Sequence, residues 1–281
     1  MKKVLITGGN GQLGRSLNKL FKDMDTEIIS TDADTLNICD EKQVDAFVKE
    51  HLPDTIINCA AHTAVDKCET DYDNAVRINA EGAANLAKAA ESTGAVMVQV
   101  STDYVFDGDT DKAYVEEDKV NPQSVYGKTK LMGEENVVKY CSRYFIVRTA
   151  WLYGEGNNFV KTMLRLSESK NKITVVSDQF GTPTSSDELA KMILHIIPTG
   201  KYGIYHGTCE GETSWYEFAR KIMKLAGKTT EIIPVTTEEY TAAVARRPKY
   251  SVLENAKLNS MGEYRMKNWE DALEEYIKLI K

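Results

Sequence analysis

The feature that most constrains the fold is a glycine-rich turn directly after the first apolar run. Residues 4–14 read VLITGGNGQLG, so Gly8, Gly11 and Gly14 have the spacing G-x-x-G-x-x-G. In that order the glycines can make a tight turn, let a pyrophosphate approach the backbone, and let a helix lie close to the strand. The free N–H groups at the start of the helix would then hold the phosphates. The segment predicts a βαβ unit that binds a dinucleotide.

The rest of the first 150 residues alternates short apolar runs with amphipathic segments. This alternation is typical of a parallel sheet wrapped by helices. We therefore predict an α/β protein with a Rossmann-type, doubly wound parallel sheet. The predicted strands are 3–7, 27–30, 55–58, 96–100 and 145–148, and the predicted helices lie near 12–22, 41–50, 73–93 and 124–140.

The pattern changes after Trp151, where a loop rich in Gly and Asn precedes shorter and more scattered strands. We predict a dinucleotide-binding domain over 1–150 and a smaller substrate-binding region over 151–281, interleaved with the first. Helices are expected at 185–197, 214–226 and 268–280, with a strand near 202–206.

Charge and cysteine usage restrict the possible partners and compartment. The 281 residues carry a net charge of −7 and no basic stripe, so neither nucleic acid nor a membrane surface is an expected partner. No apolar stretch approaches the roughly 20 residues that cross a bilayer. The five cysteines form no C-x-x-C pair, which favours free thiols in a reducing cytosol. We expect a cytoplasmic protein.

The ends of the second and third strands add to the predicted cofactor site. Asp32 follows the second strand, where a carboxylate can accept hydrogen bonds from the adenosine ribose and so favours NADH. Arg15 could offset the repulsion of a 2′-phosphate, which leaves NADPH open. The third strand runs into Ala60-Ala61-His62-Thr63, whose small residues would let a cofactor lie against the backbone. His62 is expected to contribute backbone contacts rather than catalysis.

The catalytic prediction rests on a strand end and on the helix that follows it. Thr102 lies at the carboxyl end of the strand over 96–100, where open α/β folds bind ligands. Tyr126 and Lys130 are four residues apart on one helix face. Reduction of a ketone needs a proton donor, and a nearby ammonium lowers the pKa of a tyrosine. Thr102 would orient the substrate oxygen.

Together these motifs resemble the dTDP-4-dehydrorhamnose reductases, a family of extended short-chain dehydrogenases. The resemblance rests on GNGQLG (9–14), NCAAHTAVDK (58–67), STDYVFDG (101–108), YGKTK (126–130), RTAWLYG (148–154), GNNFVKTM (156–163) and DQFGTPT (178–184). It implies that NADPH or NADH reduces the 4-keto group of a dTDP-linked sugar, dTDP-4-dehydro-β-L-rhamnose, to give dTDP-L-rhamnose. It also implies a possible homodimer, and we predict no metal ligands.

Residue roles follow from the same resemblance. Thr102, Tyr126 and Lys130 would be catalytic, and Thr102, Asp103 and Trp151 would touch the sugar. Asn37 departs from the aspartate that is usual in the family, so adenine-side contacts are less secure than the chemistry. The predicted cofactor residues are Gly8, Asn10, Gly11, Gln12, Leu13, Asp32, Asn37, Ile38, Ala60, Ala61, His62, Thr63, Tyr126 and Lys130.

Two further residues complete the predicted substrate site, Asn158 from a polar loop and Arg247 from the basic run RRPK at 246–249. Arginine can bind a pyrophosphate bidentately. The alternative interpretation of this basic run is a charged turn exposed to solvent. Two other functions stay open. One is a related nucleotide-sugar epimerase or dehydratase, and the other is a non-catalytic subunit like the regulatory subunit of methionine adenosyltransferase.

Overall fold

The computed structural model describes residues 1–240 and 244–281. Its strands are β1 Lys3–Thr7, β2 Glu27–Thr31, β3 Thr55–Asn58, β4 Val96–Thr102, β5 Tyr144–Thr149, β6 Leu152–Tyr153, β7 Lys172–Val176, β8 Phe180–Gly181, β9 Thr184–Ser185, β10 Gly203–His206, β11 Thr213–Ser214 and β12 Glu231–Val235. Its α-helices are α1 Gln12–Phe21, α2 Glu41–His51, α3 Val65–Cys68, α4 Tyr72–Val76, α5 Gly82–Thr93, α6 Val125–Tyr140, α7 Phe159–Ser167, α8 Ser186–Ile196, α9 Trp215–Ala226, α10 Ala256–Ser260 and α11 Trp269–Ile280.

The largest sheet in the described part of the chain has six parallel strands in the order β10-β5-β4-β3-β1-β2. Its strands are apolar because helices cover both faces. The chain places β2 on one side of β1 and then crosses to place β3 on the other side. Ligands of open α/β sheets bind at such a switch point, beyond the carboxyl ends of the strands. The predicted Rossmann-type α/β class is confirmed.

Two apolar cores cover the faces of this sheet. On one face, Leu17 of α1 and Leu189 of α8 pack in a cluster with Val4 and Val98. On the other, Val44 of α2 and Leu86 of α5 pack against Leu5 and Ile146. The second half of the chain therefore supplies both β10 and α8 to the sheet assembly. A third cluster around Phe218 and Leu273 forms the core of the smaller region.

The predicted helix over 73–93 is confirmed, and the structure adds one detail within it. A π-helical turn, Arg77–Glu81, joins α4 to α5 without a break in the helical backbone. Gly133 of α6 lies so close to this turn that a side chain there would collide with the Asn79 carbonyl. The sequence pattern did not predict the π-helical turn. Among the described helices, none is long and apolar enough to cross a membrane.

Candidate active site

A cleft of about 860 Å³ opens along the carboxyl edge of the large sheet. The turn after β1, the ends of β3, β4 and β5, and helix α6 all contribute to its walls. Fifteen of the residues predicted for the site line this one space. They are Gly8, Gly11, Gln12, Leu13, Asp32, Asn37, Ile38, Ala60, Ala61, Thr63, Thr102, Asp103, Tyr126, Lys130 and Trp151.

The glycine turn is shaped by contacts that only glycine allows. Gly8 has a φ of +68°, and a Cβ atom there would lie 2.7 Å from the backbone nitrogen of Ala60. The N–H of Gly11 donates to the carbonyl of Gly8 at 3.0 Å, which closes the turn. Gly11 also caps α1 without a side-chain hydrogen bond. The first N–H groups of α1 therefore meet the cleft with no side chain in the capping position, as a phosphate-binding helix start requires.

The end of β2 closes the same side of the cleft. Asp32 accepts a hydrogen bond from the Asn10 N–H at 3.0 Å, so its carboxylate lies beside the glycine turn. The Asn37 side chain accepts from the Cys39 N–H at 3.1 Å, which fixes a turn in the cleft wall. Arg15 does not line the cleft, but it lies beside the glycine turn, because its Nε donates to the Asn10 carbonyl at 2.8 Å and its guanidinium also donates to Glu155 at 2.7 Å.

Thr102 and Asp103 meet where β4 ends. The Thr102 hydroxyl donates to the Asp103 carboxylate at 2.9 Å and accepts from the Tyr104 N–H at 3.2 Å. Both side chains are buried. Burial raises the pKa of Asp103 to about 6, although hydrogen bonds from Ser251 and Thr102 favour its charged form. Asp103 Oδ2 is buried without a hydrogen-bond partner in the structure.

Tyr126 and Lys130 project from the first turns of α6, whose start is capped by the Ser124 hydroxyl. Burial raises the pKa of Tyr126, and the adjacent Thr102 hydroxyl partly opposes that shift. The pKa of Tyr126 is raised overall, against the expected lowering, because desolvation of the phenolate is the largest of the effects on it. Lys130 donates to the Val100 carbonyl at 2.6 Å, and its own burial lowers its pKa to about 8.

A buried ion pair fixes the strand and the helix that carry these groups. Arg148 of β5 donates to Glu134 of α6 at 2.7 Å, and both side chains are 3% exposed. Ser101, directly before Thr102, donates to the same carboxylate at 2.5 Å. The Glu134 charge also counteracts the lowering of the Lys130 pKa. The pair thus joins β4, β5 and α6 beneath the cleft.

Two predicted cofactor residues lie outside the cleft lining. The backbone of Asn10 donates to Asp32 and accepts from Arg15 at 2.8 Å. The His62 ring lies 3.4 Å from both the Asp71 carboxylate and the Cys68 sulfur, while its backbone bonds to Asn79. His62 is therefore engaged on the protein side of its loop, and neighbouring Ala61 and Thr63 line the cleft.

Two predicted substrate residues also lie outside the lining. Asn158 caps α7, accepting from the Lys161 N–H at 3.0 Å, and donates to Gly154 at 2.6 Å. Arg247 pairs with Asp66 at 2.8 Å and donates to the Tyr104 hydroxyl at 3.3 Å. Since Tyr104 lines the cleft, Arg247 is one side chain removed from it. Both roles stay predictions.

Within residues 1–240 and 244–281, no group of three or more His, Cys, Asp or Glu side chains could hold a metal ion.

Several residues of the cleft were not predicted from the sequence. They include Cys39, Arg77 and Ile78, and also Trp215, which begins α9. Trp215 stacks on Trp151 with ring centroids 3.6 Å apart and planes 10° apart. The helix over 214–226 was predicted from the sequence, but no local pattern indicates that its first residue contacts Trp151.

Comparisons with known proteins agree with this geometry. A dTDP-4-dehydrorhamnose reductase from Clostridium acetobutylicum is 52% identical, with a TM-score of 0.97 and coverage of 99% of both chains. A dTDP-4-dehydrorhamnose reductase from Bacillus anthracis, solved in complex with NADP, is 44% identical with a TM-score of 0.97, covering 99% of this chain and 100% of that one. The spore coat polysaccharide biosynthesis protein SpsK of Bacillus subtilis is 42% identical over 99% of this chain and 98% of its own length.

The family model for the RmlD substrate binding domain matches residues 1–281. The match therefore covers the glycine turn, the catalytic helix and the smaller region together. The chain belongs to the RmlD substrate-binding-domain family, in which the resemblance found in its motifs had placed it.

Proposed function

We propose that this protein is an NADPH- or NADH-dependent oxidoreductase that reduces the 4-keto group of dTDP-4-dehydro-β-L-rhamnose to give dTDP-L-rhamnose. The observation that carries the proposal is the shared cleft. Thr102, Tyr126 and Lys130 line the same space as the glycine turn, so a proton donor and a dinucleotide site face one volume. The reductase names of the solved relatives support the same reaction.

The residues at the glycine end fit a nicotinamide dinucleotide. Gly8 and Gly11 leave room for backbone approach, and the start of α1 offers N–H groups to a pyrophosphate. Asp32 would hold the adenosine ribose, and Asn37 and Ile38 would border the adenine. When bound, the reduced nicotinamide supplies the hydride for the carbonyl carbon.

The protein's own part of the reaction is proton transfer and orientation. The raised pKa keeps the Tyr126 phenol protonated at neutral pH, so it can give its proton to the carbonyl oxygen as that oxygen gains charge. The Lys130 ammonium, with a pKa of about 8, is largely charged at pH 7 and stabilises the phenolate left behind. Thr102 orients the same oxygen.

We assign cofactor binding mainly to residues 1–150 and substrate binding mainly to 151–281. Thr149 of β5 pairs with Thr102 of β4, and Trp151 follows two residues after Thr149. Trp151 would therefore lie close enough to Thr102 to pack on the sugar. Asp103 would also face the sugar. The two parts would be interleaved rather than separable, which is supported by β10 joining the large sheet and by α8 packing on its face, although both come from 151–281. A homodimer stays a prediction that sedimentation would test.

A dehydratase is the weaker alternative on the residues around Thr102. Such enzymes usually place an acid/base pair of carboxylates there, whereas Asp103 is followed by Tyr104. An epimerase would retain its cofactor and consume no added reductant. A purely binding role would use Lys130 to hold the cofactor, but it would not need a proton donor such as Tyr126 in the same cleft.

The test is oxidation of NADPH and NADH with dTDP-4-dehydrorhamnose by wild type and by Tyr126→Phe. Loss of the proton donor should lower kcat by at least about 100-fold, while cofactor affinity stays within about twofold. Tyr140→Phe, at the far end of α6, is the matched control and should keep wild-type turnover. Wild type that binds cofactor but turns nothing over would contradict the proposed function, and full turnover by Tyr126→Phe would contradict the role of the tyrosine.

A further inference from the structure

The stacked rings of Trp151 and Trp215, here called the indole pair, join the two halves of the cleft. Trp151 follows β5 of the large sheet, and Trp215 begins α9 of the smaller region. Both line the cleft that contains Tyr126, and both remain partly exposed in it. By contrast Trp269, the third tryptophan, is 7% exposed and lies in the core of the smaller region.

The backbone and neighbours hold both rings in place. Trp151 has a φ of +47°, a left-handed conformation that is uncommon and costly for a large residue. Any side chain at position 181 would collide with its indole, so Gly181 is required for the ring to occupy this position. On the other side, Phe159 packs 4.6 Å from the Trp215 ring, and Ser214 caps the helix that Trp215 begins. Backbone strain of this kind concentrates at functional sites.

An exposed aromatic stack in a concave site is suited to an apolar, flat ligand surface. Stacked aromatic rings pack favourably with such surfaces beyond the area they bury. Trp151 lies near Thr102 through the pairing of β4 with β5, so Trp215 is one ring further from the reacting carbonyl. A nucleotide-linked deoxysugar presents such apolar surfaces on its sugar ring and its pyrimidine.

We propose that Trp215 is a substrate-binding residue and that the indole pair forms the platform for the nucleotide-linked deoxysugar. This inference rests on the proposed function, because the ligand class comes from it. Trp215 covers one face of Trp151, so the substrate would meet the parts of the two rings that line the cleft. Trp215 would border the sugar end of the cleft and has no role in proton transfer.

Kinetics of Trp215→Leu and Trp215→Phe test this directly. Loss of one aromatic contact should raise KM for dTDP-4-dehydrorhamnose about two- to tenfold in the leucine variant, since such contacts are worth roughly 0.5–1.5 kcal/mol. The phenylalanine variant should recover part of that loss. For both, kcat should change less than about threefold and NADPH affinity should be unchanged. A merely structural residue would not separate KM from kcat in this way.

A binding measurement makes the test independent of turnover. The three tryptophans supply the intrinsic fluorescence, and Trp269→Phe leaves only the indole pair. Titration with the product, dTDP-L-rhamnose, should change the emission of wild type and of Trp269→Phe, and the affinity should weaken about two- to tenfold for Trp215→Leu. Equal affinity for this ligand in Trp215→Leu and wild type, or no response of wild type to it, would overturn the inference. Wild type that binds dTDP-L-rhamnose with this response yet fails to reduce the keto sugar would contradict the proposed reaction and leave the platform supported.

Discussion

At the glycine end of the cleft the backbone of Gly8 lies against Ala60, whereas at the substrate end two indole rings lie face to face. The first end is made by the turns that follow β1, β2 and β3, in which small residues expose peptide groups. The second is made by side chains from segments far apart in the chain. An end built from backbone depends on the absence of side chains, and an end built from aromatic rings depends on their exact shape. The two ends should therefore fail in different ways when they are mutated.

The largest effect is expected for Gly8→Ala. The new methyl would lie 2.7 Å from the Ala60 nitrogen, at a φ of +68°, so the turn or the Ala60 loop must move. Strain of about 1–3 kcal/mol placed directly in the cofactor wall should weaken NADPH binding by roughly 10- to 100-fold. Calorimetric titration with NADPH measures this.

Gly200→Ala is the matched control for that variant. Gly200 has a similar φ of +63°, but nothing lies within 4 Å of the added atom. It should lower Tm by the cost of the left-handed conformation and leave NADPH affinity unchanged. Equal loss of affinity in both variants would mean that stability, and not the contact with Ala60, controls the cofactor end.

The next effect is the pH dependence of kcat/KM for the reduced cofactor, which reports groups of the free enzyme. The pKa of Lys130 is lowered to about 8, so the ammonium is present below that pH and lost above it. The phenol of Tyr126 stays protonated over the same range because its pKa is raised. Activity should fall about tenfold per unit above pH 8.

The Lys130→Arg variant identifies the group behind this alkaline limb. Its guanidinium keeps its charge far above pH 8, so the reduced activity that remains should stay level there. If the fall in activity of Lys130→Arg at alkaline pH kept the wild-type midpoint, the titrating group would be a residue other than Lys130.

Substitution of Asn79, which joins the loop after β3 to helix α6, should have an intermediate effect on cofactor binding. Its buried side chain accepts from the His62 N–H at 2.8 Å and donates to the Thr129 hydroxyl at 3.0 Å. That hydroxyl donates to the Tyr126 carbonyl at 3.0 Å, so one amide ties the cofactor loop to the catalytic helix. Asn79→Ala should cost about 1–3 kcal/mol in unfolding free energy and raise the cofactor KM several-fold.

The matched variant for this link is Asn136→Ala. Asn136 donates to Ala80 at 3.0 Å and also joins α6 to the π-helical turn, but it does not reach the cofactor loop. It should lower stability without changing the cofactor KM. A similar KM for both variants would show that Asn79 acts through general packing alone.

The same contrast explains which parts of the molecule could be predicted from sequence. The predicted strands 3–7 and 55–58 coincide with β1 and β3, because buried parallel strands are continuous apolar runs with clear ends. The glycine turn was predicted because its chemistry is contained in one short segment. The π-helical turn was not, since it depends on how closely Gly133 packs against it.

The substrate end could be predicted only where a residue adjoins a recognisable strand. Trp151 follows β5 and was found, whereas Trp215 meets it only after the smaller region has folded. Asn158 is harder to assign. It was predicted to bind substrate, and in the structure its amide also caps the start of α7 and donates to the Gly154 carbonyl. Polar residues in loops cannot be assigned to ligand or to capping until the helix boundary is known.

The smallest effect is expected at the adenosine side of the backbone-built end, for Asp32→Ala. The partly exposed carboxylate beside the Asn10 N–H would accept bonds from the ribose of NADH and repel the 2′-phosphate of NADPH. Exposed charge interactions of this kind are worth at most about 1 kcal/mol, so the NADPH-to-NADH ratio of kcat/KM should rise about three- to fivefold. The change should shrink at high ionic strength because salt screens exposed charges. Asp34→Ala removes an equal charge from an exposed neighbour that does not line the cleft, and should leave the ratio unchanged. If both variants shift the ratio equally, the net charge of the surface sets cofactor preference, and the position of the Asp32 carboxylate does not.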